Sequence, residues 1–410
     1  MGINFSRALT LKYGPSVSNY MRSSGRTVIS VGRVMTCVLG MVVRREREIR
    51  EFVKTPFYRV IGTFGPAGIS IDGEWRAVEG SRYYGTPCLY KENGFKERKD
   101  AEALIAWLWE RENGNENSGV MQSEVSDAEK ADAGLMGVYN TSQGTILKVE
   151  KKKETKNPPL LYNLAELQND CSKMFKISPD QTLKVVQELY ERKLVTYPRT
   201  DARVLSSAVA REISKNLRGL QQYGICSGLA NEILQGESWK KIGSTRYTND
   251  KQITDHYAII PTGQLTELGK LNALQKSVFD LIVRRFLSVF YPAAEYQNVK
   301  MTAVVDVGEK KERFYASARV LKTPGYLEIA GVPKKEEEDT DPKELLHLAD
   351  QLKKGDEISV DGYEVKEGKT SPPKRYTSGS MVLAMENAGQ LIEDEELREQ
   401  IKGSGIGTSA

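Results

Sequence analysis

Long apolar runs are missing from these 410 residues. None reaches the roughly 18 residues that a membrane-spanning helix requires, so a transmembrane span is not expected. The opening stretch, MGINFSRALTLKYG, has neither an apolar core nor a small-residue cleavage site, and no secretory leader is read there. Cysteine is scarce. Cys37, Cys88, Cys171 and Cys226 stand far apart with no CxxC pair, which argues against a zinc ribbon and for reduced thiols in a cytosol. Histidine is scarcer still, with His256 and His347 only. No Gly-x-x-x-x-Gly-Lys followed by Ser or Thr occurs, so nothing supports ATP binding through a P-loop. No solenoid-type repeat is found.

What is present is ordinary in bulk. Hydrophobic residues at 39% and charged residues at 28% fit a soluble, folded, rather polar chain, and the length points to about two to four domains. A net charge of +4 is too small by itself to imply nucleic acid. Local clustering says more. Arg22, Arg26, Arg33, Arg44, Arg45, Arg47 and Arg50 fall in one stretch, against Glu46, Glu48 and Glu51.

Along the chain the texture alternates. Residues 2–11 read as the end of a helix, followed by a Gly/Ser-rich loop. Ser30 reads as the start of a second helix, with Val34, Val38, Met41, Val42 and Ile49 on one side. Short Gly-punctuated apolar runs such as YRVIGTF and GTILKVE predict strands, with one helix over 100–110 and a polar excursion over 114–133. The lysines 151–153 and Pro158-Pro159 mark a boundary. Ser178-Pro179-Asp180-Gln181 is a helix-start signature, followed by Leu183, Val186, Leu189 and Tyr190 on the apolar face. Further helices are expected over 206–217, 266–290 and 380–388, with strands between 297 and 365. The expected fold is mixed α and β and multidomain. Its segments are a helical one (1–54), the first half of a β-rich domain (55–157), a helical block (158–295), the second β half (296–371) and a return to helix (372–410). In this order the central helical block is inserted between two halves of a β domain.

Three clusters carry chemistry. In Thr196-Tyr197-Pro198-Arg199-Thr200-Asp201-Ala202-Arg203, side chains two apart in an extended segment face the same way. Tyr197 and Arg199 can therefore address one phosphate, and Pro198 keeps Tyr197 out of the α region. A phenol ionises near pH 10 and is a weak nucleophile unaided, whereas a guanidinium beside the phosphate offsets developing charge. The second cluster, Asp255-His256-Tyr257-Ala258-Ile259-Ile260-Pro261-Thr262, holds one of the two histidines. The third, Ser30-Val31-Gly32-Arg33-Val34-Met35-Thr36, is a small-residue helix start beside an arginine, a natural phosphate seat. Taken singly, each also reads as an ordinary turn, a structural histidine and a capped helix.

Together they resemble the motifs of type IA DNA topoisomerases, especially the topoisomerase III branch. TYPRTD, HYAIIPT and SVGRVMT occur in the family order, and GINFSRA, PPLLYNLAELQ, PPKRYTSGSMVLAMENAG and GSGIGT are similar to further family segments. The resemblance implies a clamp-like arrangement of helical domains and a β-rich gate. It also implies transient single-strand DNA cleavage through a 5′-phosphotyrosine, strand passage and religation without ATP, on single-stranded or underwound DNA in a bacterial cytoplasm. By it Tyr197 is the cleaving tyrosine and Arg199 holds the scissile phosphate. His256 contacts nearby backbone, and Thr196, Thr200, Asp201 and Arg203 flank the strand. Ser30, Val31, Gly32, Arg33, Val34 and Met35 form the DNA-contacting helix start, with Asn4 and Arg7 along the strand's path.

Some positions depart from the family pattern. Met35 and Cys37 stand where glutamine and proline are usual, so an amide contact is lost, and Tyr257 stands where histidine or glutamate is common. The family's Toprim domain, whose carboxylates hold magnesium, would precede residue 1, and the chain stops inside a family motif. A partial gene product, DNA-binding but cleavage-deficient alone, is therefore expected, with a separate Toprim-containing chain as a conceivable partner. Asp339-Thr340-Asp341 falls in a charged loop and is not read as a metal site. The competing reading is a non-catalytic single-stranded DNA-binding module. A tyrosine recombinase lacks its His-x-x-Arg here, since Tyr257, Ala258 and Ile259 follow His256.

Overall fold

The structure, a computed structural model, describes residues 2–22, 27–29, 32–65, 70–112, 142–224, 226–332, 342–388, 395 and 406. In chain order the helices are α1 (Gly2–Tyr20), α2 (Arg33–Arg50), α3 (Arg98–Glu112), α4 (Leu164–Phe175), α5 (Pro179–Glu191), α6 (Ser207–Leu220), α7 (Ser227–Gln235), α8 (Ala273–Ser288), α9 (Leu327–Ala330), α10 (Pro342–Gln351) and α11 (Ser378–Glu386). The strands are β1 (Pro56–Phe64), β2 (Ile71–Arg76), β3 (Leu89–Lys91), β4 (Gly94–Phe95), β5 (Ser142–Lys156), β6 (Ala294–Val307), β7 (Lys310–Thr323) and β8 (Glu357–Lys369). Two compact units result: residues 1–52, 158–292 and 372–410 form a helical unit, and residues 53–157 and 293–371 form a β unit. Among the described residues no helix is long and apolar enough to cross a membrane.

The β unit is a sheet closed on itself. Antiparallel pairing runs β1–β2–β7–β6–β5–β8 and back to β1, with β4 and β3 attached beside β1. Closure removes free sheet edges and encloses an apolar core that includes Val60, Phe64, Trp75, Ile146 and Phe314. Gly62 makes room for it, because a Cβ there would lie 2.7 Å from the Phe64 ring and 3.0 Å from that of Phe314. Glu312 is fully buried in this core, accepting from Trp75 Nε1 and from the backbone N–H of Arg82, each at 2.7 Å. Burial pushes its carboxyl above the usual range. The lysines 151–153 do not end a segment as expected. β5 carries them onward to Lys156 because β6 pairs with it all the way to Ala294.

In the helical unit, α1 continues past Leu11 to Tyr20, through Pro15, where a loop was expected. The cause is a stripe at four-residue spacing that holds the returning chain. Thr10 Oγ1 donates to the Ile29 carbonyl and accepts from the Ile29 N–H, at 3.2 and 2.9 Å. Ser18 Oγ donates to Thr27 Oγ1 and accepts from the Thr27 N–H, at 2.8 and 3.0 Å. Between them Gly14 lets the Thr27 carbonyl approach to 3.0 Å of where a Cβ would stand. α5 begins as its sequence dictates, with Ser178 and Gln181 in a reciprocal capping box and Pro179 in the first turn. α8 starts later than residue 266, because Asn272 and Gln275 form another capping box and Leu268–Lys270 is a 3-10 turn. Arg285 of α8 braces the strand-like entry to α4. It bonds the Leu160 carbonyl at 3.0 Å, the Tyr162 hydroxyl at 3.0 Å and Asp170 Oδ2 at 2.9 Å.

Candidate functional site

The tyrosine and histidine clusters, 60 residues apart in sequence, are laid antiparallel against each other. The Thr262 N–H donates to the Leu194 carbonyl at 3.0 Å, Val195 bridges Pro261, and the Thr196 N–H donates to the Ile260 carbonyl at 3.0 Å. The Thr196 hydroxyl continues the ladder, donating to Ala258 O and accepting from the Ile260 N–H, both at 3.0 Å. Behind them the Ile259 N–H donates to the carbonyl of Tyr162, which Arg285 holds, at 2.8 Å. Buried Ala258, Ile259 and Ile260 anchor this ladder in the apolar interior, so the polar ends of both clusters turn outward.

Tyr197 consequently meets His256, with ring centroids 4.3 Å apart and planes inclined at 42°. Tyr190, in the last turn of α5, stands edge-on to the phenol at 5.4 Å and 81°. The three rings line an open cleft of about 490 Å³ together with Lys193, Thr196, Tyr257, Thr262 and Gln264. Lys193 adopts a positive φ of 61°, the left-handed turn by which the chain leaves α5 for the tyrosine segment. Arg199 is exposed and has no carboxylate partner among the described residues, so its guanidinium is available to an anion in solution.

The rest of the tyrosine loop is braced from below. Asn163 is 1% exposed and caps α4, its Oδ1 accepting from the Glu166 N–H at 2.9 Å. Its Nδ2 donates to the Asp201 carbonyl at 3.2 Å and to Glu386 Oε1, on α11, at 2.6 Å. Burial holds the Glu386 carboxyl above the usual carboxylate range.

The expected site residues therefore separate. Thr196, Tyr197, Arg199, Asp201 and His256 belong to one locality. Thr200 does too. It is 3% exposed, and its hydroxyl donates to the His256 carbonyl and accepts from the Ala202 N–H, so it ties the two segments together. Arg203 is held by Glu166 at 2.6 Å and by the Leu161 carbonyl, so it acts as a brace. Asn4 and Arg7 are exposed on α1, and Val34 and Met35 on the first turn of α2. No hydrogen bond, ion pair or ring contact among the described residues links these four to Tyr197. Helix α2 is capped by Gly32, not Ser30. Gly32 is extended (φ −148°, ψ 143°) and offers no side-chain acceptor, so first-turn N–H groups stay open to an anion. Ser30, Val31 and the side chain of Arg33 lie outside the described residues, as do 114–133, Asp339 and Asp341. The closing Gly-Ser-Gly-Ile-Gly-Thr run lies outside them as well, apart from Ile406.

Sequence reasoning missed Tyr190, Lys193, Asn163 and Glu386. Tyr190 reads as part of the apolar face of α5, yet it is 38% exposed and packs on Tyr197. Only Asn163 carries a signal, as a cap residue before Leu164; its second role depends on α11. Among the described residues no three His, Cys, Asp or Glu side chains converge to hold a metal. The magnesium implied by the family resemblance thus finds no ligand set there.

The fold and site define a class: a tyrosine and a histidine on paired loops of a helical unit, with a closed β unit elsewhere in the same chain. The DNA topoisomerase family profile matches residues 1–410, and the chain belongs to that family. It is 30% identical over 414 residues to DNA topoisomerase 3 of Bacillus licheniformis, covering 100% of this chain and 48% of the relative. For DNA topoisomerase 3 of Haemophilus influenzae the identity is 31% over 420 residues, covering 100% and 56%. The chain thus spans about half the length of the curated relatives it matches. Full-length topoisomerase I of Thermotoga maritima shares the fold with a TM-score of 0.55 at 20% identity, over 99% of this chain and 54% of that one. The type IA, topoisomerase III-like resemblance of the seven motifs agrees with these relatives.

Proposed function

We propose that this chain carries the nucleophile and strand-binding parts of a type IA DNA topoisomerase and acts on single-stranded or underwound DNA. The observation that carries this reading is the apposition of Tyr197 and His256 at 4.3 Å in an open cleft, with exposed Arg199 two residues further on and without a carboxylate partner among the described residues. In the proposed step the Tyr197 phenol loses its proton and its oxygen bonds to a backbone phosphorus. The bond from that phosphorus to the 3′ oxygen breaks, leaving a 5′-phosphotyrosine and a free 3′ hydroxyl. Arg199 neutralises charge developing on the phosphate, and His256, beside the phenol, positions the adjacent backbone. Reversal reseals the strand, and the conserved bond energy makes ATP unnecessary. When bound, magnesium would supply further charge neutralisation. The described residues offer it no ligand set, so no step is assigned to it.

Incubation with a 3′-labelled single-stranded oligonucleotide, with and without an added Toprim-containing chain, followed by denaturing electrophoresis, tests the reading. A DNA adduct is expected in the complemented reaction and not with Tyr197→Phe, and the chain alone is expected to bind DNA with little cleavage. An adduct that survives Tyr197→Phe would overturn the assignment. Binding without any adduct under either condition would leave the second reading, a non-catalytic single-stranded DNA-binding module.

A further inference from the structure

The outward face of the β unit is ordered in a way that solvation alone does not require. Register places Lys152, Asn298 and Arg319 side by side across β5, β6 and β7. The next row holds Glu150, Lys300 and Ser317, and the next Lys148, Thr302 and Tyr315, with Glu74 of β2 opposite Tyr315. Rows two residues apart repeat about every 7 Å along the strands. These side chains share one face because residues alternate, and the other face is committed. There Val149, Val299, Met301 and Ala318 pack in the core with α10, and Lys151 pairs with Asp350 of that helix.

Two cations on the open face are seated on aromatic rings. The Arg319 guanidinium lies 3.7 Å from the Tyr296 ring centroid and that of Arg76 5.0 Å from Tyr315. Exposed Lys152 stands in the row of Arg319, and exposed Lys300 in the next row. Glu154 engages Arg319 and Asn298 at 2.6 and 2.7 Å, but Arg319 and Glu154 are 40% and 42% exposed. An exposed pair of this kind is weak, and a phosphate can replace the carboxylate. Cations in register, two of them on aromatic rings, suit a nucleic acid strand, which offers phosphates along its length and bases that stack on rings.

We propose that this face of the β unit is a second binding surface for single-stranded DNA, separate from the Tyr197 cleft. Lys152, Lys300 and Arg319 hold phosphates, and Tyr296 and Tyr315 receive bases. The choice of DNA rests on the proposed function; the surface itself does not depend on Tyr197.

The test uses the full chain and a fluorescent oligo-dT, with Kd measured by anisotropy over a range of salt. The Lys152→Gln, Lys300→Gln, Arg319→Gln triple variant should weaken binding about tenfold and lower the salt slope by about two, at roughly 0.7 per phosphate contact. The charge-conserving Lys152→Arg, Lys300→Arg, Arg319→Lys variant should bind as the parent does, which separates lost charge from lost folding. The readout is binding alone, with no cleavage step in it, so failure of the cleavage reading would leave this result untouched. A triple variant that folds and binds within twofold of the parent, with the same salt slope, would overturn the proposal.

Discussion

Thr200 and His256 are joined by a 2.8 Å hydrogen bond from the threonine hydroxyl to the histidine carbonyl. The same oxygen accepts from the Ala202 N–H at 3.1 Å, so one buried side chain fixes both the turn after Tyr197 and the start of the histidine segment. Thr200→Val keeps the shape and removes both bonds, leaving the buried Ala202 N–H and the part-buried His256 carbonyl without this partner. A loss of roughly 2 kcal/mol is expected in urea unfolding. Thr200→Ser should recover most of it. The His256 ring resonances should shift in Thr200→Val and not in Thr200→Ser. Unchanged resonances would mean that the hydroxyl does not position the histidine.

Glu386 gives the unit a pH dependence with a definite sign. Burial raises its carboxyl above the ordinary 4.5, so the folded chain binds a proton more readily than the unfolded one. Between those two values folding takes up a proton, and the Glu386 contribution to stability falls as pH rises through the raised value. Glu386→Gln keeps an oxygen for Asn163 Nδ2 and cannot ionise. Its Tm should therefore lose the part of the parental decline that sets in above pH 4.5. Parallel Tm curves for the two proteins from pH 4 to 8 would rule this out.

The thiols should divide by burial. Burial pushes Cys171 up to about 12 and Cys226 up to about 11, whereas Cys37 is exposed on α2. The thiolate is the reactive form. At pH 8, iodoacetamide followed by peptide mass analysis should find Cys37 modified first. Cys171 and Cys226 should react only after unfolding. Rapid native labelling of either would contradict the burial of Cys171 in α4 and of Cys226 at the start of α7.

The sequence announces its elements where the signal is local and hides them where the cause lies elsewhere in the chain. Ser178, Pro179 and Gln181 declare the start of α5 within four residues, and the YRVIGTF run declares β1. The continuation of α1 through Pro15 could not be read, because Thr27 and Ile29 hold it from outside. Nor could the length of β5, whose lysines read as a break until β6 pairs with them. Tyr197, Arg199 and His256 stood out through motif resemblance, not physics, since each alone resembles an ordinary residue. Tyr190 and Asn163 act through partners seven and more than two hundred positions away, Tyr197 and Glu386, which no periodicity reports.

Gly379 sets how closely α11 can approach α4, and through it the support of the tyrosine loop. A Cβ there would lie 2.9 Å from both Asn169 Cα and Ser172 Cβ, atoms that no side-chain rotation can move aside. Alanine favours helix by up to about 1 kcal/mol over glycine, but overpacking of this kind costs about 1–3 kcal/mol, so the contact should win. The helix must then withdraw, and the 2.6 Å bond between Asn163 and Glu386 goes with it. Gly379→Ala should thus lower stability and also erase the pH dependence ascribed to Glu386, whose carboxyl becomes hydrated. Gly228→Ala in α7 is the control. Nothing lies within 4 Å of its Cβ position, so propensity alone should leave that variant neutral or slightly more stable. If Gly379→Ala behaves like Gly228→Ala, the close packing of α11 on α4 does not limit stability.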